Sequence, residues 1–354
     1  MIQNDNQNAD ASRWGLKDWP PAYFALVMAT GIVSIACQLL DMHLLAKGLY
    51  GLNWVFYAAL WVIAGARLIK YPRQMSADLF SHSRAVGFFT WVAATGVLAS
   101  QSLLVVNWPS IAVVLWWVTI FLWLGFTYSV FTALTIKSEM PNLGRDLHGG
   151  WLVAVVATQS VSVSGTLLAA HHGAWGEQMY FVSLVTWLAG GMLYIWLISI
   201  IFFRYTFLRT DPADLSPPYW INMGAMAIST LAGALLVQAA PQSTLLGDLL
   251  PFLKGMTLLF WGTATWWVPM LLTLGAWRHL FRRMPLRYDP QYWGAVFPLG
   301  MYTVCTLKMA QALNTPFLLA IPRVFIWFAL LAWSLAALGL LGRLVRRARN
   351  KSTA

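Results

Sequence analysis

The sequence predicts an all-α integral membrane protein. Ten transmembrane helices are expected, as five helical hairpins around a quasi-fivefold central pore, with both termini on the cytoplasmic side. Three observations carry this. Hydrophobic residues make up 59% of the 354-residue chain and charged residues only 10%, against about a quarter charged in soluble domains. Apolar stretches of about 20 residues, enough to cross ~30 Å of hydrocarbon as helices, recur along the whole length. The odd-numbered stretches are rich in small and hydroxylated residues, whereas the even-numbered ones hold most of the 21 tryptophans.

The spans cover roughly 20–40, 49–69, 84–105, 111–136, 149–170, 178–203, 219–240, 255–277, 292–312 and 322–342. The first opens on Pro20-Pro21 and contains Ala29-Thr30-Gly31-Ile32-Val33-Ser34. It is too long for a signal peptide and has no small-residue cleavage site, so a retained helix is expected. The second carries Trp54 and Trp61. The third repeats the small-residue theme as Ala94-Thr95-Gly96-Val97-Leu98-Ala99-Ser100, and the fourth carries Trp116, Trp117 and Trp123. Gln159 to Thr166, with Ser162 and Gly165, marks the fifth; Trp187 and Trp196 mark the sixth. Ser229, Thr230 and Gly233 mark the seventh, and Trp261, Trp266, Trp267 and Trp277 the eighth. The ninth holds Phe297, Pro298, Gly300, Met301, Val304, Cys305 and Lys308, and the tenth Trp327 and Trp333. Odd spans begin near 20, 84, 149, 219 and 292, a spacing that reads as five copies of one hairpin. Short loops leave one membrane domain (19–342) between a polar N-terminal tail (1–18) and a basic C-terminal tail (343–354).

The net charge of +11 is a topology signal. With the N-terminus inside, all but four of the 23 lysines and arginines fall on the cytoplasmic side; the four are Lys47, Lys254, Lys308 and Arg323. This places the chain in the cell (plasma or inner) membrane with both ends in the cytoplasm. It makes the lipid bilayer the partner and excludes nucleic acid. Cys37 and Cys305 both lie in apolar spans, so no disulfide is expected. The histidines sit in loops or at helix ends, and His171-His172 reads as a solvated pair. No metal site and no cofactor are expected. None of the 12 acidic residues lies inside an apolar span, which argues against a cation pathway. An intramembrane enzyme would need a clustered nucleophile, base or metal-ligand set there, and none exists.

Small and hydroxylated residues allow close helix packing, or they line a lumen. The pattern is shared by all five odd spans, and a common axial lumen explains that jointly. The expected lining is Thr30, Gly31 and Ser34; Thr95 and Gly96; Gln159, Ser162 and Thr166; Thr230 and Gly233; and Gly300, Met301 and Val304. Aromatic residues of the even spans are expected to face lipid and the interfacial belt. Lys308 lies eleven residues beyond Phe297, close to three full turns, so both share a face about 16 Å apart. Two readings of Lys308 stay open: a lumen cation that attracts anions, or a lysine snorkelling to the outer interface.

The first span reads Trp19-Pro20-Pro21-Ala22-Tyr23-Phe24-Ala25-Leu26-Val27-Met28-Ala29-Thr30-Gly31, and the ninth Tyr292-Trp293-Gly294-Ala295-Val296-Phe297-Pro298-Leu299-Gly300-Met301-Tyr302. With ten spans and cytoplasmic termini, this resembles the tellurite-resistance/dicarboxylate transporter family. That family includes TehA-like tellurite-resistance channels, yeast malate and sulfite permeases and plant slow-type anion channels. The resemblance implies five hairpins around a pore lined by the odd helices, and a homotrimer with one pore per protomer. It also implies an occluding phenylalanine on the ninth helix, here Phe297 before the kinking Pro298. The implied function is passage of small anions or organic acids, such as malate and other C4-dicarboxylates, sulfite, tellurite, halide or nitrate, through a phenylalanine-gated pore. The alternatives are a proton-coupled dicarboxylate carrier and a non-transporting structural membrane protein. For Phe297 itself, an ordinary packing aromatic is the other reading. One departure stands out. Inner helices of the family are often kinked by proline, and here only the ninth has such a proline; the others offer Gly31, Gly96, Gly165 and Gly233.

Overall fold

The computed structural model describes residues 15–138, 142–209, 211–212, 214–285 and 288–352. Most of the expected N-terminal tail, up to residue 14, and the last two residues of the C-terminal tail lie outside the described residues. Ten long helices follow in order: α1 (Ala25–Leu39), α2 (His43–Lys70), α3 (Phe89–Val106), α4 (Pro109–Ile136), α5 (Val153–Ala169), α6 (Gly176–Phe207), α7 (Ile221–Ala239), α8 (Leu250–Ala276), α9 (Trp293–Ala312) and α10 (Ala320–Ser352). There is no strand among the described residues. A single 3-10 turn leads into each odd helix: Pro21–Phe24, Ala85–Phe88, Gly149–Leu152, Pro217–Trp220 and Pro290–Tyr292. Three of the turns between hairpin arms pass through the left-handed region at Asp41 (φ 64°), Asn107 (φ 51°) and Asn314 (φ 53°). Short polar side chains tolerate that conformation best after glycine.

Nine helices among the described residues are long and apolar enough to cross a membrane. The expected ninth span, α9, is a helix in the expected place but is not one of the nine. Pro298, two threonines, Lys308 and Gln311 dilute its apolar content. The last helix runs on to Ser352, so the basic segment from 343 is largely helical.

The split into inner and outer helices is plain in the burial. Between 78 and 94% of the apolar window of α1, α3, α5 and α7 is buried, against 17 to 44% for α2, α4, α6, α8 and α10. α9 is buried along nearly its whole length. The inner helices pack in chain order, α1 on α3, α3 on α5, α5 on α7 and α7 on α9, and α9 closes back onto α1. Each outer helix packs on the inner helix of its own hairpin and also leans on the next: α2 on α3, α4 on α5, α6 on α7, α8 on α9 and α10 on α1.

Hydrogen bonds stitch that second seam. Tyr57 of α2 pairs with the Thr95 hydroxyl at 3.0 Å. Trp123 of α4 donates to Thr158 Oγ1 at 2.9 Å, and Trp187 of α6 to the Ser229 carbonyl at 2.8 Å. Trp261 of α8 donates to Thr306 Oγ1, and Trp333 of α10 to Thr30 Oγ1, both at 3.0 Å. This corrects the expectation that the tryptophans of the even spans serve lipid contact. Trp117, Trp196 and Trp327 do face outward, but Trp116, Trp187 and Trp267 are buried. A buried indole N–H without an acceptor costs about 1–3 kcal/mol, so each inward tryptophan needs an oxygen on the neighbouring helix.

At the end where the inner helices begin, Arg67 of α2 is almost fully buried and donates to Asp78 at 2.7 Å and to the Lys17 carbonyl. Arg84, just before α3, holds the other oxygen of Asp78 at 2.6 Å. The first hairpin, the segment preceding α1 and the start of α3 are thus tied through one carboxylate.

Candidate functional site

Two cavities lie along the axis of the inner ring. The larger, about 420 Å³, opens at the end that carries Arg67 and Arg84 and is walled by the first turns of all five inner helices. We call it the vestibule. The smaller, about 20 Å³, is walled by all five inner helices farther along. It holds about one water-sized sphere.

The same register recurs on every inner helix. The vestibule wall takes Ala25, Thr90, Val153, Ile221 and Gly294, one from each. The narrow lumen takes Ile32, Val97, Ser160, Ile228 and Met301 as one layer. The next layer is Ile35, Ser100, Val163, Leu231 and Val304, and the last is Leu39, Leu104, Leu167, Leu235 and Lys308. On each helix these positions step by seven, three and four residues, which keeps one stripe facing the axis. The stripe position between the cavities is Met28, Ala93, Val156, Gly224 and Phe297, and all five are buried. Met28 and Phe297 form the vestibule floor. All five inner helices therefore run parallel, with their N-termini at the vestibule.

The structure separates the expected site residues into two groups. Gly96, Met301, Val304 and Lys308 line the narrow lumen, and Phe297 lines the vestibule floor. The others line neither cavity, which corrects the expectation of a hydroxyl-lined lumen. Thr30 accepts from Trp333, Ser34 donates to the Ala46 carbonyl at 2.7 Å, and Thr95 meets Tyr57. Gln159 donates to the Trp187 carbonyl at 3.0 Å. Thr166 and Thr230 donate back to the carbonyls of Ser162 and Met226, and the Ser162 hydroxyl is buried without a partner. A Cβ at Gly31 would meet Val97 and Asn53; one at Gly233 would meet Thr257 and Trp187. Gly300 faces Ile32 and Val33 of α1, and Pro298 lies against Gly224 of α7. These residues let inner helices approach their neighbours and satisfy polar groups there. The lumen wall that remains is apolar apart from Ser100, Ser160 and Lys308.

The vestibule brings in charged groups that the sequence reading did not single out: Arg84, His148, Arg204 and Asp214. Arg204, at the end of α6, donates to the Gly144 carbonyl at 2.6 Å and pairs with Asp214 at 3.3 Å. His148 accepts from the Gly150 N–H through Nδ1 at 3.0 Å, so Nε2 carries the proton and donates to the Ser83 carbonyl at 3.3 Å. Burial pushes the His148 imidazole below its ordinary value and Arg204 adds to this, against the Ser83 hydrogen bond and Asp146. Arg84 and His148 are the cap positions before the second and third inner helices, and that shared position is the signal by which sequence could have found them. No carboxylate among the described residues pairs with Lys308.

The family model for the SLAC1 voltage-dependent anion channel matches residues 18–341. An uncharacterised transporter of Methanocaldococcus jannaschii, MJ0762, is 26% identical over 303 residues, covering 82% of this chain and 84% of the relative. A sulfite efflux pump, SSU1, of Arthroderma benhamiae is 22% identical over 324 residues, covering 85% of this chain and 84% of the relative. An uncharacterised membrane protein of Mycobacterium tuberculosis, Rv1735c, is 36% identical over 154 residues, 43% of this chain and 77% of the relative.

Proposed function

The chain belongs to the SLAC1 voltage-dependent anion channel family, and from this premise we propose that it forms a gated pathway for small anions along the axis of its inner ring. One observation carries the proposal. Five parallel inner helices open their N-termini on a vestibule of about 420 Å³, and the axial stripe beyond it carries a lysine and no carboxylate. Each helix N-terminus acts as roughly half a positive charge, so the vestibule concentrates anions without binding them through a fixed pair.

Phe297, with Met28, Ala93, Val156 and Gly224 in its layer, forms the seal between vestibule and lumen. An apolar constriction blocks an ion by excluding water. Lys308 is the cation at the far mouth. The substrate is a small monovalent anion. A lumen of about 20 Å³ walled mainly by Ile, Leu, Val and Met replaces little of a dianion's hydration, and no arginine pair in it would hold two carboxylates. The sulfite efflux pumps among the relatives make hydrogensulfite a natural member of the test set. Hairpins of one orientation also fit a pore better than a rocking carrier built from inverted repeats. The vestibule faces the cytoplasm, in keeping with the basic residues at that end, and the protein assembles as a homotrimer with one pathway per protomer.

Purified protein in planar bilayers tests this. Reversal potentials in a salt gradient are expected to follow the anion, and chloride, nitrate and hydrogensulfite are expected to carry more current than malate. Reversal at the cation potential would refute the proposal.

A further inference from the structure

We propose that Gly224 and Gly300 are positioning residues for the aromatic seal: two glycine contacts, one between α9 and each of its ring neighbours, hold Phe297 on the axis. The inference rests on the reading of Phe297 as the seal and assigns what keeps that seal closed.

On one side α9 meets α7. A methyl built on Gly224 would sit 2.7 Å from Cγ, 3.1 Å from Cβ and 3.4 Å from Cα of Pro298. Carbon atoms in contact prefer about 3.5–4.0 Å. The pyrrolidine ring has no rotamer to swing away, and its Cα belongs to the backbone. The added methyl is accommodated by moving α7 and α9 apart at Pro298, the residue that follows Phe297. On the other side α9 meets α1. A methyl on Gly300 would sit 2.9 Å from Ile32 Cγ2 and 3.3 Å from Val33 Cγ2. These branch methyls are stiff at χ1 in a helix, but the clash is smaller than the one at Pro298 and the nearest backbone atom, Val33 N, stands at 3.5 Å, so this contact yields more easily. Gly300 follows Phe297 by about one helical turn on α9, and Gly224 of α7 lies against Pro298, the neighbour of Phe297.

The ring geometry gives the sign. α7, α9 and α1 are consecutive members of a closed ring. Volume inserted between neighbours lengthens the circumference and widens the axis. Close glycine contacts therefore keep the ring tight at the level where the phenylalanine must fill it.

The test measures anion flux from liposomes for the wild type, Phe297→Ala, Gly224→Ala, Gly300→Ala and two double variants, each checked for monodispersity. Phe297→Ala is expected to raise basal flux at least tenfold. Gly224→Ala is expected to raise it at least fivefold, and Gly300→Ala about twofold. Gly224→Ala combined with Phe297→Ala should add nothing to Phe297→Ala alone, because the glycine acts through the ring. Gly224→Ala combined with Pro298→Ala removes the Cγ that the methyl meets first, and flux should fall back toward wild type. A folded Gly224→Ala protein with wild-type flux, beside a conducting Phe297→Ala, would overturn the proposal; so would additive effects in the first double variant. If Gly224→Ala does not fold, Gly300→Ala decides, and wild-type flux there overturns the proposal. Wild-type flux in Phe297→Ala would refute the seal itself, and the glycine role with it.

Discussion

Replacing Lys308 probes the anion pathway with the least disturbance to packing. The equivalent positions on the other four inner helices are Leu39, Leu104, Leu167 and Leu235. Lys308→Leu therefore completes a ring of five leucines and removes the charge together with the end of the side chain; Lys308→Glu reverses it. An anion passing about 5 Å from the ammonium, in an effective dielectric near 20, gains about 3 kcal/mol before screening. Removing the charge forfeits that amount and reversing it forfeits about twice as much. Each 1.36 kcal/mol is a factor of ten, so the unscreened effect of Lys308→Leu is about two orders of magnitude. Salt reduces it: the Debye length falls from about 30 Å at 0.01 M to about 8 Å at 0.15 M. Conductance should be recorded at both salt concentrations, in a Phe297→Ala background so that current is measurable. The expected result at low salt is at least a tenfold loss for Lys308→Leu and a larger one for Lys308→Glu, with partial recovery at the higher concentration. Equal conductance of the Lys308→Glu and lysine proteins at low salt would show that the ammonium turns to the interface and leaves the pathway, refuting the reasoning.

Three further outcomes follow. If Phe297 only packed, Phe297→Ala would cost roughly 3–5 kcal/mol and lower activity; as a seal, it should leave the protein folded and conductive, with Phe297→Leu between the two in current recordings. Asp78 is buried and gripped by Arg67 and Arg84. Asp78→Ala strands the buried Arg67 and should lower unfolding stability by about 3–5 kcal/mol, read as a loss of detergent-stable protein on thermal challenge. His148 has a folded value below its unfolded one, so the native state binds fewer protons. Its stabilising contribution is complete above about pH 6.5 and is lost as pH falls from there toward the folded value. Melting curves from pH 8 to pH 5 should show a smaller acid loss for His148→Gln than for wild type, and parallel curves would discount the histidine.

Much of the architecture is legible in the sequence because it repeats. The spacing of the odd spans and their contrast with tryptophan-rich even spans mark five hairpins, and the burial pattern reproduces the inner and outer assignment. On α9 Met301 and Val304, which fall between Phe297 and Lys308, stand with Lys308 on the wall of the smaller cavity. The ninth span escapes the hydropathy that marks the other nine because a helix enclosed by protein need not be apolar enough to face lipid.

The lumen wall is not legible in the sequence for a physical reason. A helix buried on every side carries no amphipathic signal to say which of its faces looks at the axis. Thr30 and Ser34 share a face, as i and i+4 must, and the natural inference is that the polar face lines the pore. Yet the axial stripe of α1 runs through Met28, Ile32, Ile35 and Leu39. Thr30 is two residues from both Met28 and Ile32, about 160–200° around the helix. Its hydroxyl lies on the far side and receives the Trp333 indole. The two features most visible in the sequence, hydroxyls on odd spans and tryptophans on even ones, are thus acceptor and donor of one seam, repeated as Trp123 with Thr158 and Trp261 with Thr306. The discriminating signal is the register of the five copies. Positions 28, 93, 156, 224 and 297 align only when the hairpins are superposed, and there a single phenylalanine shares a layer with Met28, Ala93, Val156 and Gly224. In such a ring the polar residues hold neighbouring helices together and leave the apolar stripe facing the axis.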